Sequence, residues 1–391
     1  MKDSQLKTAH RVENISPFRV MKVLQRARQL EAEGKKIVHM EVGEPDFSTA
    51  QPIVNAAQVA LKKGYTHYST AAGLPELREA ISRLYADRYH VSIDPQRIFI
   101  TPGASGGLNL LANLLVDQGA GVLMTDPAYP CNRNYIRLMG AQPQLIPVGP
   151  ESNYQPTIAL LNEYVRDNTC GLWLASPANP TGTIISRQQL GEINEWAGKH
   201  NLHLLLDEIY HGLHYVDDLP SLLELNEQGF VVNSFSKYYG MTGWRVGWIV
   251  VPEQFISQVD MLCQNLFIAA STISQYAALA AFSAGTVEIL EQRRADFRRR
   301  RDFLHGALSD IGFTIDVEAE GAFYIYAGIE KFSDNSEEFC RKMLEQYGVA
   351  ITPGTDFGDY RARQFVRFAY TTDMENLALG VERLARGCAL L

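Results

Sequence analysis

The chain has 391 residues, of which 46% are hydrophobic and 20% charged, a composition typical of a globular protein with a sizeable buried core. Its net charge of −8 gives no reason to expect nucleic acid or an anionic membrane as a partner. Five scattered cysteines without a Cys-x-x-Cys pair favour free thiols, and the first residues lack the apolar core of a signal peptide, so we expect a cytoplasmic protein.

The predicted elements begin with an N-terminal helix over residues 18–33. Between residues 50 and 285, short apolar runs alternate with segments of helical periodicity. Strands are predicted at residues 98–101, 122–126, 144–147, 172–176, 204–207, 230–234 and 246–251. Several of these strands are apolar throughout, which is typical of strands covered on both faces. The alternation therefore predicts an α/β fold with a mostly parallel central sheet.

The pattern changes beyond residue 290. A charged helix is predicted at residues 288–308, a strand at residues 321–326 and a final helix at residues 375–389. This order indicates a smaller α+β domain. We expect three parts: residues 1–48 as an N-terminal segment of the small domain, residues 49–288 as the large α/β domain, and residues 289–391 as the small C-terminal domain.

Unusual residues follow several of the predicted strands, where ligands bind to open parallel sheets. The small residues of Thr101–Gly107 open a helix, so their N–H groups are a candidate phosphate cradle. The segment matches neither the dinucleotide fingerprint nor the nucleoside triphosphate loop. Tyr129 follows the next strand and could stack on a flat ring. Asn179 lies between two prolines that hold its amide in a rigid loop, although an ordinary turn explains such a segment equally well.

Charged residues occur at three further strand positions. Asp207 follows three leucines, where a buried acid needs a cation unless it caps a helix. Lys237 lies among serines at the end of an apolar run, and Arg245 follows. A lysine amine can form a Schiff base with an aldehyde, while hydroxyls and arginine suit a phosphate. Arg367 lies in an apolar strand, where it either grips a carboxylate or forms a structural salt bridge.

The histidines at positions 200, 203, 211 and 214 have spacings close to those of metal ligands, but no matching Cys/His partner completes a zinc site. We therefore expect no metal.

Together and in this order, these residues resemble the class I/II aminotransferases, the pyridoxal-phosphate fold type I family, from about residue 14 to 385. The resemblance implies pyridoxal 5'-phosphate bound by the large domain, and a homodimer. It also implies that the substrates are a small amino acid and a 2-oxo acid. By resemblance, Lys237 is the Schiff-base lysine and proton shuttle, and Asp207 pairs with the pyridinium nitrogen.

The resemblance also assigns the remaining site residues. Asn179 and Tyr210 would hold the ring hydroxyl oxygen, and Tyr129 would stack on the ring. The phosphate would be bound by Gly103, Ala104, Ser105, Ser234 and Arg245. Tyr68 would reach the phosphate of the neighbouring subunit. Arg367 would bind the substrate α-carboxylate, helped by Asn179 and the backbone of Gly43.

The substrate is predicted from an absence of positive charge. Members of the family that prefer dicarboxylates supply a second cation, in many cases a lysine at the position of Ser105. Residues 252–292 contain no arginine or lysine, and apolar pocket candidates are Phe18, Tyr65, Phe267 and Phe323. We therefore expect a ping-pong aminotransferase with a neutral or aromatic donor and an acceptor such as 2-oxoglutarate or pyruvate. The alternative is a pyridoxal-phosphate C–S or β/γ-lyase on the same fold.

Overall fold

The computed structural model describes residues 8–391, so the first seven residues of the predicted 1–48 segment lie outside the described residues. In chain order the strands are β1 (Val38–His39), β2 (Ile98–Thr101), β3 (Gly121–Asp126), β4 (Gln142–Pro147), β5 (Thr169–Ala175), β6 (His203–Asp207), β7 (Phe230–Ser234), β8 (Gly247–Val250), β9 (Tyr324–Gly328), β10 (Val349–Ala350), β11 (Thr352–Pro353) and β12 (Phe365–Ala369).

Helices lie between most of the strands along the chain. In chain order these are α1 (His10–Glu13), α2 (Arg19–Ala32), α3 (Gln51–Lys62), α4 (Pro75–Tyr89), α5 (Gly103–Leu115), α6 (Pro130–Leu138), α7 (Ile158–Tyr164), α8 (Arg187–Lys199), α9 (Ile256–Leu266), α10 (Thr272–Leu279), α11 (Ala284–Ile311), α12 (Ser336–Tyr347) and α13 (Met374–Cys388).

The main sheet has seven strands in the order β2-β8-β7-β6-β5-β3-β4. Strand β8 runs antiparallel to both of its neighbours, and the other pairs are parallel. This confirms the prediction of a mostly parallel central sheet. The carboxyl ends of β5, β6 and β7 meet at one edge, which positions the polar residues that follow them.

Alternating side chains explain why this sheet is covered on both faces. In β6, Leu204 and Leu206 pack into one apolar cluster, while Leu205 packs into a second cluster. Successive residues of a strand point to opposite faces, so both faces of the sheet are buried. Burial of both faces explains why the strands appear in the sequence as uninterrupted apolar runs.

A second unit combines residues from both ends of the described chain. Strands β11, β12 and β9 form an antiparallel sheet, and β1 pairs in parallel with β10. The N-terminal segment therefore packs with the C-terminal residues. The proposed divisions at residues 48 and 288 stay predictions.

One predicted strand is displaced. Residues 321–326 were expected to be extended, but β9 begins only at Tyr324, and Ala322 has a φ of 58°. An alanine in this left-handed conformation interrupts an extended chain. The strand therefore starts at Tyr324, three residues later than expected.

Within residues 8–391, no single helix is both long and apolar enough to cross a membrane. One pair, Thr272–Phe282 with Ala284–Ile311, passes that test only jointly and is bent by 81°.

Candidate active site

A cavity of about 290 Å³ lies at the carboxyl ends of the central strands, close to the lower size limit of small-molecule sites. Ten of the residues singled out from the sequence line it: Phe18, Gly43, Ala104, Ser105, Tyr129, Asn179, Asp207, Tyr210, Lys237 and Arg367. These residues come from segments that are far apart in the sequence. The fold therefore brings most of the predicted site into one space.

Asp207 is the last residue of β6 and is almost completely buried. Burial raises the pKa of its carboxyl group from 3.8 to about 7. A hydrogen bond from the backbone N–H of Ile209, at 3.0 Å, and the charge of Lys237 both act in the opposite direction without cancelling the effect of burial. The site thus contains a buried acid whose negative charge is only partly stabilised by its neighbours.

Lys237 follows β7, and its Nζ donates a hydrogen bond of 2.6 Å to the carbonyl oxygen of Gly43. Burial lowers the pKa of this amine from 10.5 to about 8, and the positive charge of Arg367 adds to the decrease. A lysine with a lowered pKa has a larger fraction of neutral amine near neutral pH. Such an amine is suited to nucleophilic attack and proton transfer.

Arg367 lies in β12 and is 4% exposed. Its Nη1 donates to Asn179 Oδ1 at 2.8 Å, and its Nη2 donates to the carbonyl oxygen of Glu41. Its Nε is buried without a partner among the described residues. The guanidinium lies 4.1 Å from the ring centre of Tyr324 and 4.7 Å from that of Phe357. Since these hydrogen bonds go to uncharged oxygens, the charge is available to a carboxylate.

The first turn of α5 adjoins Arg245. Gly103 has a φ of 70°, and a Cβ at this position would clash with the Arg245 guanidinium. The first N–H groups of a helix have no partner within the helix, so they and the guanidinium together favour an anion. Ser234, also predicted to bind the phosphate, is the last residue of β7. Its Oγ donates a hydrogen bond of 2.9 Å to Ser236 Oγ.

A pair of tyrosines borders the cavity. The hydroxyl groups of Tyr210 and Tyr324 are 2.9 Å apart, and burial raises the pKa of both. A Cβ on Gly43 would clash with the Tyr324 hydroxyl, so the absence of a side chain there allows the close approach. Sequence reasoning missed Tyr324 as a site residue, and the only local signal was its place in the aromatic-rich segment of residues 323–326.

The remaining predicted residues have different positions. Tyr68 is 79% exposed and does not line the cavity. Of the apolar pocket candidates, Phe18 lines the cavity, while Phe323 packs in the core against Tyr210. Tyr65 stacks on Tyr276 outside it. The expectation that Tyr65, Phe267 and Phe323 also line the cavity is therefore wrong for the single chain.

Besides Tyr324, the cavity residues that the sequence did not indicate include Val20, Met21 and Asp356. They approach from the start of α2 and from the turn after β11. Within residues 8–391, no group of three His, Cys, Asp or Glu side chains could hold a metal ion.

Known proteins resemble nearly the whole chain. The family described as "Aminotransferase class I and II" matches residues 35–384. The (5-formylfuran-3-yl)methyl phosphate transaminase of Methanocaldococcus jannaschii is 40% identical, covering 96% of this chain and 97% of that protein. The valine–pyruvate aminotransferase of Mycobacterium tuberculosis is 37% identical, covering 95% and 96%. The structure of a Thermus thermophilus aspartate aminotransferase single mutant superposes with a TM-score of 0.93 at 31% identity, covering 98% and 100%.

Proposed function

The chain belongs to the class I and II aminotransferases and is a transaminase, and we propose that its cofactor is pyridoxal 5'-phosphate, its donor a neutral or aromatic L-amino acid and its acceptor a 2-oxo acid. The observation that carries the proposal is one cavity lined by Lys237, Asp207 and Arg367. An amine of lowered pKa, a buried acid and a guanidinium whose hydrogen bonds go to uncharged oxygens are the three groups that this chemistry requires.

Four residues of the cavity fit the cofactor ring. Asp207 would hold the protonated ring nitrogen, which would compensate the charge that burial now disfavours. Asn179 and Tyr210 would hold the ring oxygen, and Tyr129 would cover the ring face. The assignment is supported by the shared position of these four residues around one space.

The cofactor phosphate would be held by the start of α5 together with Ser234 and Arg245. Gly103, Ala104 and Ser105 provide N–H groups there. The clash that a Cβ on Gly103 would make with Arg245 supports this assignment, because it puts a cation next to the helix N-terminus. Tyr68 would contribute its hydroxyl group from the neighbouring subunit.

Pyridoxal phosphate, when bound, supplies an aldehyde that bonds to an amine and a ring that accepts an electron pair. Lys237 Nζ removes the α-proton of the amino acid and holds it, because its lowered pKa favours the neutral amine. Arg367 binds the α-carboxylate and, with Asn179, fixes the orientation of the α-carbon. Asp207 remains ionised beside a cation and stabilises positive charge in the ring.

The donor preference is supported by the remaining cavity wall. Phe18, Val20 and Met21 provide apolar surface, and the lining residues include no basic side chain besides Lys237 and Arg367. A donor with a second carboxylate would need such a cation. The name of the Mycobacterium tuberculosis relative, with a neutral branched amino acid and pyruvate as its substrates, agrees with this preference.

Steady-state rates with aspartate, alanine, methionine and phenylalanine test the donor preference. We expect kcat/KM for the neutral and aromatic donors to exceed that for aspartate, and a strong preference for aspartate would contradict the proposal. Incubation with amino acid alone separates transamination from the lyase alternative, since elimination releases ammonia on every turnover and transamination does not.

We also propose that the chain forms a homodimer. Large apolar side chains are exposed on two segments, residues 65–68 and 261–268. A hydrogen bond of 2.7 Å from Thr272 Oγ1 to the carbonyl oxygen of His67 holds these parts of the chain together. These exposed side chains are Tyr65, Tyr68, Met261, Leu266 and Ile268. A second copy would bury them. Sedimentation equilibrium should give about twice the mass of one chain. The cytoplasmic location stays a prediction.

A further inference from the structure

Asp356 is a buried carboxylate at the cavity for which the proposed reaction has no role. The residue is 2% exposed and lines the cavity together with Lys237 and Arg367. It ends the short helical turn Gly354–Asp356, which follows β11. A buried acid beside a substrate site affects which substrates enter, because its charge acts over short distances in a medium of low dielectric constant.

The carboxylate of Asp356 binds the start of α2. Its Oδ1 accepts a hydrogen bond from the N–H of Arg19 at 2.7 Å, and its Oδ2 accepts one from the N–H of Val20 at 3.3 Å. These are the first two residues of the helix, whose N–H groups have no partner within the helix. Asp356 thus serves as an N-cap supplied from a distant part of the chain.

This contact fixes one wall of the cavity. Phe18 precedes α2, and Val20 and Met21 lie in its first turn, and all three line the same cavity as Asp356. The ring of Phe18 also lies 5.9 Å from that of Tyr129. The N-terminal segment therefore covers the cavity in a position that depends on the capping carboxylate.

Two arginines lie near Asp356 but do not neutralise it by direct contact. Arg133 Nη2 donates to the backbone carbonyl oxygen of Asp356 at 2.8 Å, and Arg19 Nη1 donates to the carbonyl oxygen of Thr355 at 2.8 Å. Arg19 Nε pairs with Glu337 at 3.0 Å. Neither arginine is among the residues that line the cavity. The carboxylate therefore presents negative charge to a ligand, moderated by the helix N-terminus.

We propose that Asp356 determines the substrate specificity of this site by holding the apolar wall over it and by repelling a second carboxylate. The inference rests on the proposed function, since it assumes that amino donors bind in this cavity. One site binds donor and acceptor in turn, so the same repulsion favours a monocarboxylic 2-oxo acid, such as pyruvate, over 2-oxoglutarate.

Three variants of the cofactor-loaded enzyme test the inference. Asp356→Asn removes the charge and retains one oxygen that can cap α2, and Asp356→Ala removes both. Asp373→Asn is the matched control, because Asp373 caps α13 by accepting a hydrogen bond from the N–H of Asn376 at 2.8 Å and does not line the cavity. Asp356→Ser, a neutral capping residue, replaces the asparagine variant if that variant does not fold.

For Asp356→Asn we expect kcat/KM for aspartate and for 2-oxoglutarate to rise on the order of tenfold, mainly through KM. The values for valine, phenylalanine and pyruvate should change less than about threefold, since these substrates have no second carboxylate. Asp356→Ala should in addition raise KM for the apolar donors, because α2 loses its cap. Asp373→Asn should leave all ratios as in the wild type.

The inference and the proposed function fail in different experiments. A wild-type enzyme that prefers aspartate contradicts the proposed donor preference, whatever the variants do. If the wild type prefers neutral donors but Asp356→Asn keeps the wild-type ratio of aspartate to valine, the role of Asp356 is overturned and the proposed function stands. An equal shift in Asp373→Asn would also overturn it, because the effect would then not be specific to the cavity.

Discussion

Replacing Asp207 with asparagine should stabilise the cofactor-free protein at pH 8 while weakening its binding of pyridoxal phosphate. Burial raises the pKa of the Asp207 carboxyl group from 3.8 to about 7. Between these values the folded state binds a proton that the unfolded state has lost. Stability therefore decreases as the pH rises through this window and is constant above it.

The size of the Asp207 pKa shift determines how much stability is lost. A pKa difference of about 3 units corresponds to roughly 4 kcal/mol of lost stability above pH 7, and to roughly 1.6 kcal/mol at pH 5. The wild type should thus lose about 2.5 kcal/mol through this group between pH 5 and pH 8. Asparagine does not titrate, so Asp207→Asn should lose none of it.

Urea unfolding of both cofactor-free proteins at pH 5 and pH 8, at one protein concentration, measures the difference. Glu208, whose pKa burial raises to about 8, titrates in both proteins, and most of its contribution cancels because the charge of Asp207 is only a minor cause of that increase. The advantage of Asp207→Asn should be larger at pH 8 by about 2 to 3 kcal/mol. Equal differences at the two pH values would refute the reasoning, because they would show that the carboxylate is compensated in the folded protein.

Three further changes test two other groups of the site and one ion pair outside it. Lys237→Ala should form no stoichiometric covalent adduct with pyridoxal phosphate, so borohydride reduction and peptide mass spectrometry should find one stoichiometric adduct, at Lys237, in the wild type and none in the variant; a stoichiometric adduct at another lysine of both proteins would contradict the assignment. Arg367→Lys keeps the charge but loses the two-pronged grip, so KM for amino and oxo acids should rise about 10- to 100-fold in steady-state assays, and an unchanged KM would be inconsistent with that grip. A hydrogen bond with Glu41 is the main cause that raises the pKa of His39 from 6.5 to about 9, and its stabilising effect, complete below pH 6.5, is lost as the pH rises through 9. In urea unfolding between pH 6.5 and pH 10, the wild type should therefore lose about 2 kcal/mol more stability than His39→Gln, a value reduced because the ion pair is partly exposed. Equal losses in the two proteins would argue against the ion pair.

Features that depend on neighbouring residues could be predicted from the sequence. Three leucines before Asp207 indicated a buried strand that ends in an acid, and the structure has both. Phe230–Ser234 and Ile98–Thr101 begin and end as predicted. The residues that follow these strands lie close together because the carboxyl ends of parallel strands share one edge of the sheet.

Features that depend on distant residues could not be predicted. The contact between Asp356 and the N–H of Val20 joins residues 336 positions apart, and no local pattern indicates it. Phe323 was expected in the pocket, but the left-handed Ala322 shifts the start of the strand, so that Tyr324 lines the cavity instead. An apolar composition does not reveal on which side of the chain a ring lies.

The lining of the cavity also has a consequence for how the protein is made. Its wall includes Phe18 from one end of the chain and Arg367 from the other, with Lys237 between them. Contacts over such separations form slowly, because the intervening chain must first lose much of its freedom. We therefore expect uptake of the proposed cofactor to be one of the last events of folding, so that a protein that holds it has already completed its tertiary structure.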